Sequence, residues 1–171
     1  EGDAAAGVVI RRDDGTLVPP GDFIPTAEQN GLIVPIGRWV MEQATGTLRD
    51  MQRNHPEMAA AYVTVNLSPV QLHQSDLVRQ VRAALHATGL PATSLRLEVT
   101  ENSAMSDANG TLDVLRELRD LGVKILIDDF GTGYSALQYL AHLPADALKV
   151  DKSFVEGLGH DGRKTRVVCT I

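Results

Sequence analysis

Short apolar runs, each followed by a helix-patterned segment, constrain this chain more than any other feature. Residues 62–67, 95–99, 123–127 and 147–150 have strand length and are aliphatic or β-branched. Between them, residues 75–88 carry Leu77, Val81, Ala84 and Leu85 at helical spacing before Gly89. Residues 110–121 carry Leu112, Leu115, Leu118 and Leu121 before Gly122. A shorter helix is expected over 136–143, stopped by Pro144, and another from Arg163 onward. Parallel neighbours need crossover connections of this length, so the class is α/β with a parallel sheet. A doubly wound sheet and a (β/α)8 barrel both satisfy the alternation.

The N-terminal third is less regular. Val8, Val9 and Ile10 suggest a strand, Arg11 to Gly15 a polar turn, and Pro19 to Asp22 a second loop. Thr26 can cap a helical region, and residues 34–53 form a long helix with Ile36, Trp39, Val40, Gln43 and Leu48 in register, ended by His55 and Pro56. Trp39 and the leucine stripes are expected to be core.

Composition excludes several function classes. With 171 residues and a net charge of −6, the chain has no clustered basic surface for gripping DNA through its phosphates. No apolar run approaches the roughly 20 residues of a membrane span, and the first residues lack a signal-peptide pattern, so a cytoplasmic location is expected. Cys169 is alone, which leaves no disulfide framework or zinc module. The five histidines, His55, His73, His86, His142 and His160, are dispersed and form no recognisable pair with a nucleophile.

The strand ends hold the chemistry. Asn66 ends the first of the four runs, Glu98 lies near the end of the second, Asp128 and Asp129 follow the third, and Lys149 and Asp151 surround the end of the fourth. In a barrel these ends converge on one mouth, where active sites are built from several strands. Oxygen donors of this kind suit Mg²⁺ or Mn²⁺, and a two-ion site serves phosphoryl transfer. Each residue also has a plainer explanation. A lone carboxylate often caps a helix or is solvated, and the Asp pair could begin a turn into Gly131. Lys149 could be a buried lysine paired with Asp128 or Asp151, or could orient water or a phosphate oxygen. Apolar strand bodies ahead of every one of these groups favour the collective reading.

The loop from Asp129 to Ser135 carries Gly131, Thr132 and Gly133, so its backbone could approach a phosphate, yet it matches neither a P-loop nor a dinucleotide fingerprint. Glu101 could accept hydrogen bonds from that loop, or could be a capping or solvated glutamate.

Five strings, in order and spacing, are similar to those of the EAL domain family. They are Asp22-Phe23-Ile24-Pro25-Thr26-Ala27-Glu28 with Gly31-Leu32-Ile33, Val65-Asn66-Leu67-Ser68, Leu97-Glu98-Val99-Thr100-Glu101, Asp128-Asp129-Phe130-Gly131-Thr132-Gly133-Tyr134-Ser135 and Leu148-Lys149-Val150-Asp151. The resemblance runs from about Gly15 to the C-terminus. It implies a modified TIM barrel that hydrolyses cyclic di-GMP to linear pGpG with Mg²⁺ or Mn²⁺. It further implies Asn66, Glu98, Asp128 and Asp129 as metal ligands, Lys149 in contact with water or the scissile phosphate, and Asp151 in support. Glu101 would anchor the loop that holds Gly131 and Thr132. It leaves room for a homodimer and for linked GGDEF or sensory domains.

Two departures stand against it. The ungapped position of the signature Glu is Ala5, and that of the nearby substrate-binding Arg is Val9. The strands expected to supply the general-base Glu and a glutamine lie past Ile171, and a whole barrel takes roughly 250 residues. The expectation is one EAL-like domain over 1–171, incomplete at its C-terminus. It would be either an active phosphodiesterase or a degenerate module that binds cyclic di-GMP or a protein partner without turnover.

Overall fold

The computed structural model describes residues 4–5, 8–106, 108–130 and 143–150. The chain enters through β1 (Ala4–Ala5) and a hairpin of β2 (Ile10–Arg11) and β3 (Leu17–Val18). Two helices follow, α1 (Pro20–Gln29) and α2 (Ile33–Asn54). Then come β4 (Val63–Asn66), α3 (Pro69–Leu72), α4 (Leu77–Thr88), β5 (Leu95–Thr100), α5 (Glu101–Met105), α6 (Ala108–Asp120), β6 (Lys124–Phe130) and β7 (Ala147–Val150).

Five strands form one parallel sheet in the order β1-β4-β5-β6-β7, so each strand after β1 adds beside its predecessor in the chain. A doubly wound sheet reverses direction at a switch point, whereas this sheet grows one way, as a barrel wall does.

The strands carry unlike faces. Val63, Val65, Leu95, Leu97, Val99, Ile125 and Ile127 are buried, and the cluster that contains them also holds Leu48, Leu77, Val81, Leu115 and Leu118 from the helices. Residues of opposite parity, Thr64, Asn66, Arg96, Glu98, Thr100 and Asp128, share the other face. Helix packing thus uses one parity of each strand and leaves the other for chemistry. Helix α4 buries Leu77, Val81 and Ala84 of its predicted stripe and α6 buries Leu112, Leu115 and Leu118, while Leu85 and Leu121 are half-buried; Gly89 closes α4 at φ +69°, a left-handed conformation suited to glycine.

Three expectations at the N-terminal end need correction. The Pro19-to-Asp22 segment is helical from Pro20, because proline at the first helical position loses no hydrogen bond; Thr26 therefore lies inside α1 rather than capping it. Trp39 is 55% exposed and Gln43 is exposed as well. Helix α2 turns Ile33, Gly37, Met41, Ala44, Leu48 and Gln52 inward at steps of three and four, and position 39 falls on the opposite side. β1 and β3 were not anticipated, while the strand expected at Val8 to Ile10 is β2, shifted toward Arg11. The helices expected at 136–143 and after Arg163, and Cys169, fall outside the described residues.

Candidate functional site

Register brings the strand-end residues together. Asn66 of β4 is level with Glu98 of β5, and Thr100 of β5 with Asp128 of β6. The β4 backbone continues past Asn66 by donating from Leu67 N to the Glu98 carbonyl at 2.8 Å.

Between β6 and β7 the ladder is irregular. Ile127 pairs with Leu148 and Phe130 with Val150, so Asp128 and Asp129 together oppose the single residue Lys149. This two-against-one arrangement is a β-bulge, a device that re-aims side chains at a strand end. Asp129 absorbs the extra residue at φ +54°, a left-handed conformation that Asp tolerates better than most side chains. Its amide donates to Asp128 Oδ1 at 2.9 Å.

Lys149 answers the carboxylates directly. Its ammonium lies 2.5 Å from Glu98 Oε1 and 3.6 Å from Asp128 Oδ2. The Glu98 side chain is only 7% exposed, so this ammonium offsets a charge that water hardly reaches. Partial burial pushes the Lys149 pKa down, but the hydrogen bonds and charges of Glu98 and Asp128 outweigh it, and the net direction is upward. The paired role foreseen for Lys149 is present with Asp128, and Glu98 is a further partner. Asp151 lies outside the described residues, as do Gly131 and Thr132.

Glu101 is 1% exposed as the first residue of α5, which corrects the solvated alternative. It is not a cap either: Thr100 occupies that position and accepts from Ser103 N at 3.3 Å. Asn66 and Asp129 are exposed at the mouth of the sheet.

Oxygen is the donor throughout, which suits a hard divalent cation. Glu98 Oε1 is buried and, among the described residues, its partner is the Lys149 ammonium, so a cation beside it would take the place that a positive charge already holds. Among the described residues no three His, Cys, Asp or Glu groups stand together in a ready-made metal cluster. The fit is therefore to a cation entering between Glu98 and Asp128, where the Lys149 ammonium lies.

Two residues that sequence reasoning passed over, Gln71 and Gly37, line the same cavity as Asn66. Gln71 N donates to Ser68 Oγ, and Ser68 N donates to Gln71 Oε1, both at 3.2 Å. Gly37 of α2 lies against the same glutamine. The Ser68-x-x-Gln71 spacing is a capping-box signature that could have drawn attention to it. The cavity has a volume of about 220 Å³, and its other walls include Phe23, Ile36 and Val40.

The EAL domain family model matches residues 4–171. This chain belongs to the EAL domain family. Among curated relatives, the bifunctional diguanylate cyclase/cyclic di-GMP phosphodiesterase MucR of Pseudomonas aeruginosa is 46% identical over 156 residues, covering 91% of this chain and 22% of MucR. The cyclic di-GMP phosphodiesterase NbdA of the same organism is 46% identical over 140 residues, covering 81% of this chain and 18% of NbdA. The chain thus spans about a fifth of the length of these relatives. Among solved structures, the PaMucR phosphodiesterase in its c-di-GMP complex superposes with a TM-score of 0.89 at 42% identity, covering 99% of this chain and 68% of that one. The FimX EAL domain of P. aeruginosa bound to c-di-GMP gives 0.83 at 26% identity, covering 96% and 64%. The sheet of this EAL domain is accordingly part of a TIM-barrel-like wall. No described helix is long and apolar enough to cross a membrane.

Proposed function

We propose that this EAL domain is a metal-dependent phosphodiesterase that hydrolyses cyclic di-GMP to linear pGpG. The observation that carries the proposal is the meeting of Glu98, Asp128 and Lys149 at three adjacent strand ends. Asn66, Glu98, Asp128 and Asp129 would hold two divalent ions, Mg²⁺ or Mn²⁺. When bound, such ions supply charge neutralisation at a scissile phosphate and acidification of an attacking water.

The chain's own residues divide the remaining work. Glu98, on the polar face of β5, fixes one edge of the cradle, because its burial leaves it little freedom to turn. The bulge holds Asp128 toward Glu98 and lets Asp129 face the mouth. With Glu98 and Asp128 taken up by cations, the Lys149 ammonium is free to donate to a water or a phosphate oxygen. Asp151 supports that lysine, and Glu101 anchors the loop of Gly131 and Thr132. Cyclic di-GMP is the partner, in a cytoplasmic setting. A homodimer and linked GGDEF or sensory domains are the associated expectations.

One observation favours a second reading. β1 is registered on β4 with Ala5 level with Thr64, two residues before Asn66. If Ala5 holds the position expected for the signature Glu, an alanine stands there one strand from Asn66, which favours a module that binds the nucleotide without cleaving it. The two readings separate on one assay, in which the purified chain is incubated with cyclic di-GMP and Mg²⁺ or Mn²⁺ and pGpG is measured. The enzyme reading expects pGpG, and expects Asp128→Asn to lower its rate by roughly 100-fold or more, the scale for losing a charge-stabilising group. Nucleotide binding without pGpG selects the silent module. Unchanged turnover in Asp128→Asn removes Asp128 from the site.

A further inference from the structure

We infer that Gln71 is a positioning residue for Asn66, held in place by the absence of a side chain at Gly37. The inference rests on the proposed role of Asn66 as an oxygen ligand and goes beyond it, because Gln71 lies in α3, past the turn that follows Asn66.

The turn after β4 is only two residues long before α3 begins at Pro69. Asn66 is the last residue of β4 and is exposed, so its direction depends on how the next residues are fixed. Leu67 is buried at 4% exposure and its amide is tied to the Glu98 carbonyl. Ser68 is tied twice to Gln71, through its own amide and through its hydroxyl. The reciprocal pair satisfies two donors that a helix start otherwise leaves open, and it sets the angle at which the chain leaves the strand.

A helix of four residues cannot hold such a turn by its own propensity. Gln71 is instead clamped from outside. Its side chain is 6% exposed and lies against Gly37, where an added Cβ would overlap the carboxamide nitrogen, carbon and oxygen. In this position the Gln71 carboxamide occupies the space that a side chain at residue 37 would take, which glycine leaves open. The contacts run from α2 through Gln71 to Ser68, and the backbone carries the constraint through Leu67 to Asn66. Supporting groups of this kind typically change metal affinity by about 10- to 100-fold when removed.

The test measures Mn²⁺ binding to the intact chain by calorimetry without nucleotide, alongside circular dichroism and thermal unfolding, in Asn66→Ala, Gln71→Ala and the double variant. Asn66→Ala is expected to weaken Mn²⁺ binding by more than about tenfold, as the loss of a ligand, and Gln71→Ala by about tenfold, the lower end of the scale for a supporting group. The double variant should bind no worse than Asn66→Ala alone, because a residue that acts only through Asn66 has nothing left to position. Additive losses would overturn the inference, since a general structural defect adds to the loss of the ligand. Wild-type affinity in Gln71→Ala with weakened Asn66→Ala overturns it while leaving Asn66 as a ligand. Wild-type affinity in Asn66→Ala removes both. If Gln71→Ala does not fold, Ser68→Ala, which deletes only the hydroxyl half of the pair, takes its place under the same criteria.

Discussion

Lys149 concentrates the electrostatics of this domain in one side chain. Its pKa is raised above the ordinary 10.5 despite the opposing effect of burial, because Glu98 and Asp128 stabilise the ammonium. A group whose folded pKa is raised contributes stability that is complete below the unfolded value and is lost as pH rises through the folded one. The cation-free domain should therefore lose stability on the alkaline side, above about 10.5. Lys149→Met should be less stable than the parent at neutral pH and should lack that alkaline loss, as followed by urea unfolding across pH. The residue types at this site were legible, since Asn66, Glu98, Asp128, Asp129 and Lys149 all end apolar runs. The pairing of Lys149 with Glu98 was not, because the two belong to β7 and β5, and only the bulged register of the intervening β6 brings them into contact.

At the scale of elements, helices and strands follow their patterns where one face alone is buried. α4 and α6 bury most of the leucines that their periodicity selects, since each covers the sheet from one side. α2 departs from its expected stripe because it meets both the sheet and Gln71, and a glycine, Gly37, is what the second contact requires. The start of β7 is held by Asp146. Its carboxylate accepts from Ile125 N and Lys124 Nζ, both at 2.9 Å, with Arg119 Nε at 3.7 Å, and its own amide donates to the Ile125 carbonyl. Desolvation raises its pKa, but the backbone hydrogen bond of Ile125 and then Lys124 and Arg119 outweigh it, so the pKa is lowered from 3.8. That contribution is present above the ordinary carboxylate value and is lost as pH falls through the depressed one. Asp146→Ala should cost about 1–2 kcal/mol at neutral pH, the scale of a lost charge-assisted hydrogen bond to a backbone amide. The difference from the parent should vanish in strong acid, and urea denaturation at both pH values checks it.

For the whole molecule, the decisive fact is that the strands stack in one direction and carry their polar parity on a shared face. That order sets Ala5 level with Thr64 at the β4 edge, close to the cradle but without a donor. Ala5→Glu should add an oxygen donor there and tighten Mn²⁺ binding by about tenfold, which is roughly 1.4 kcal/mol. Calorimetry on the variant and its parent measures it, and unchanged affinity would show that position 5 does not reach the site. The sequence by itself determined the α/β class, the parallel strands, the main buried faces of α4 and α6 and the acidic strand ends, because these depend on local periodicity and side-chain chemistry. Only the tertiary structure decided which carboxylate faces which ammonium, where the bulge lies, and that Gln71 packs against Gly37. Those relations depend on register between strands far apart in the chain and on how closely a helix can approach a turn, and neither leaves a local pattern to read.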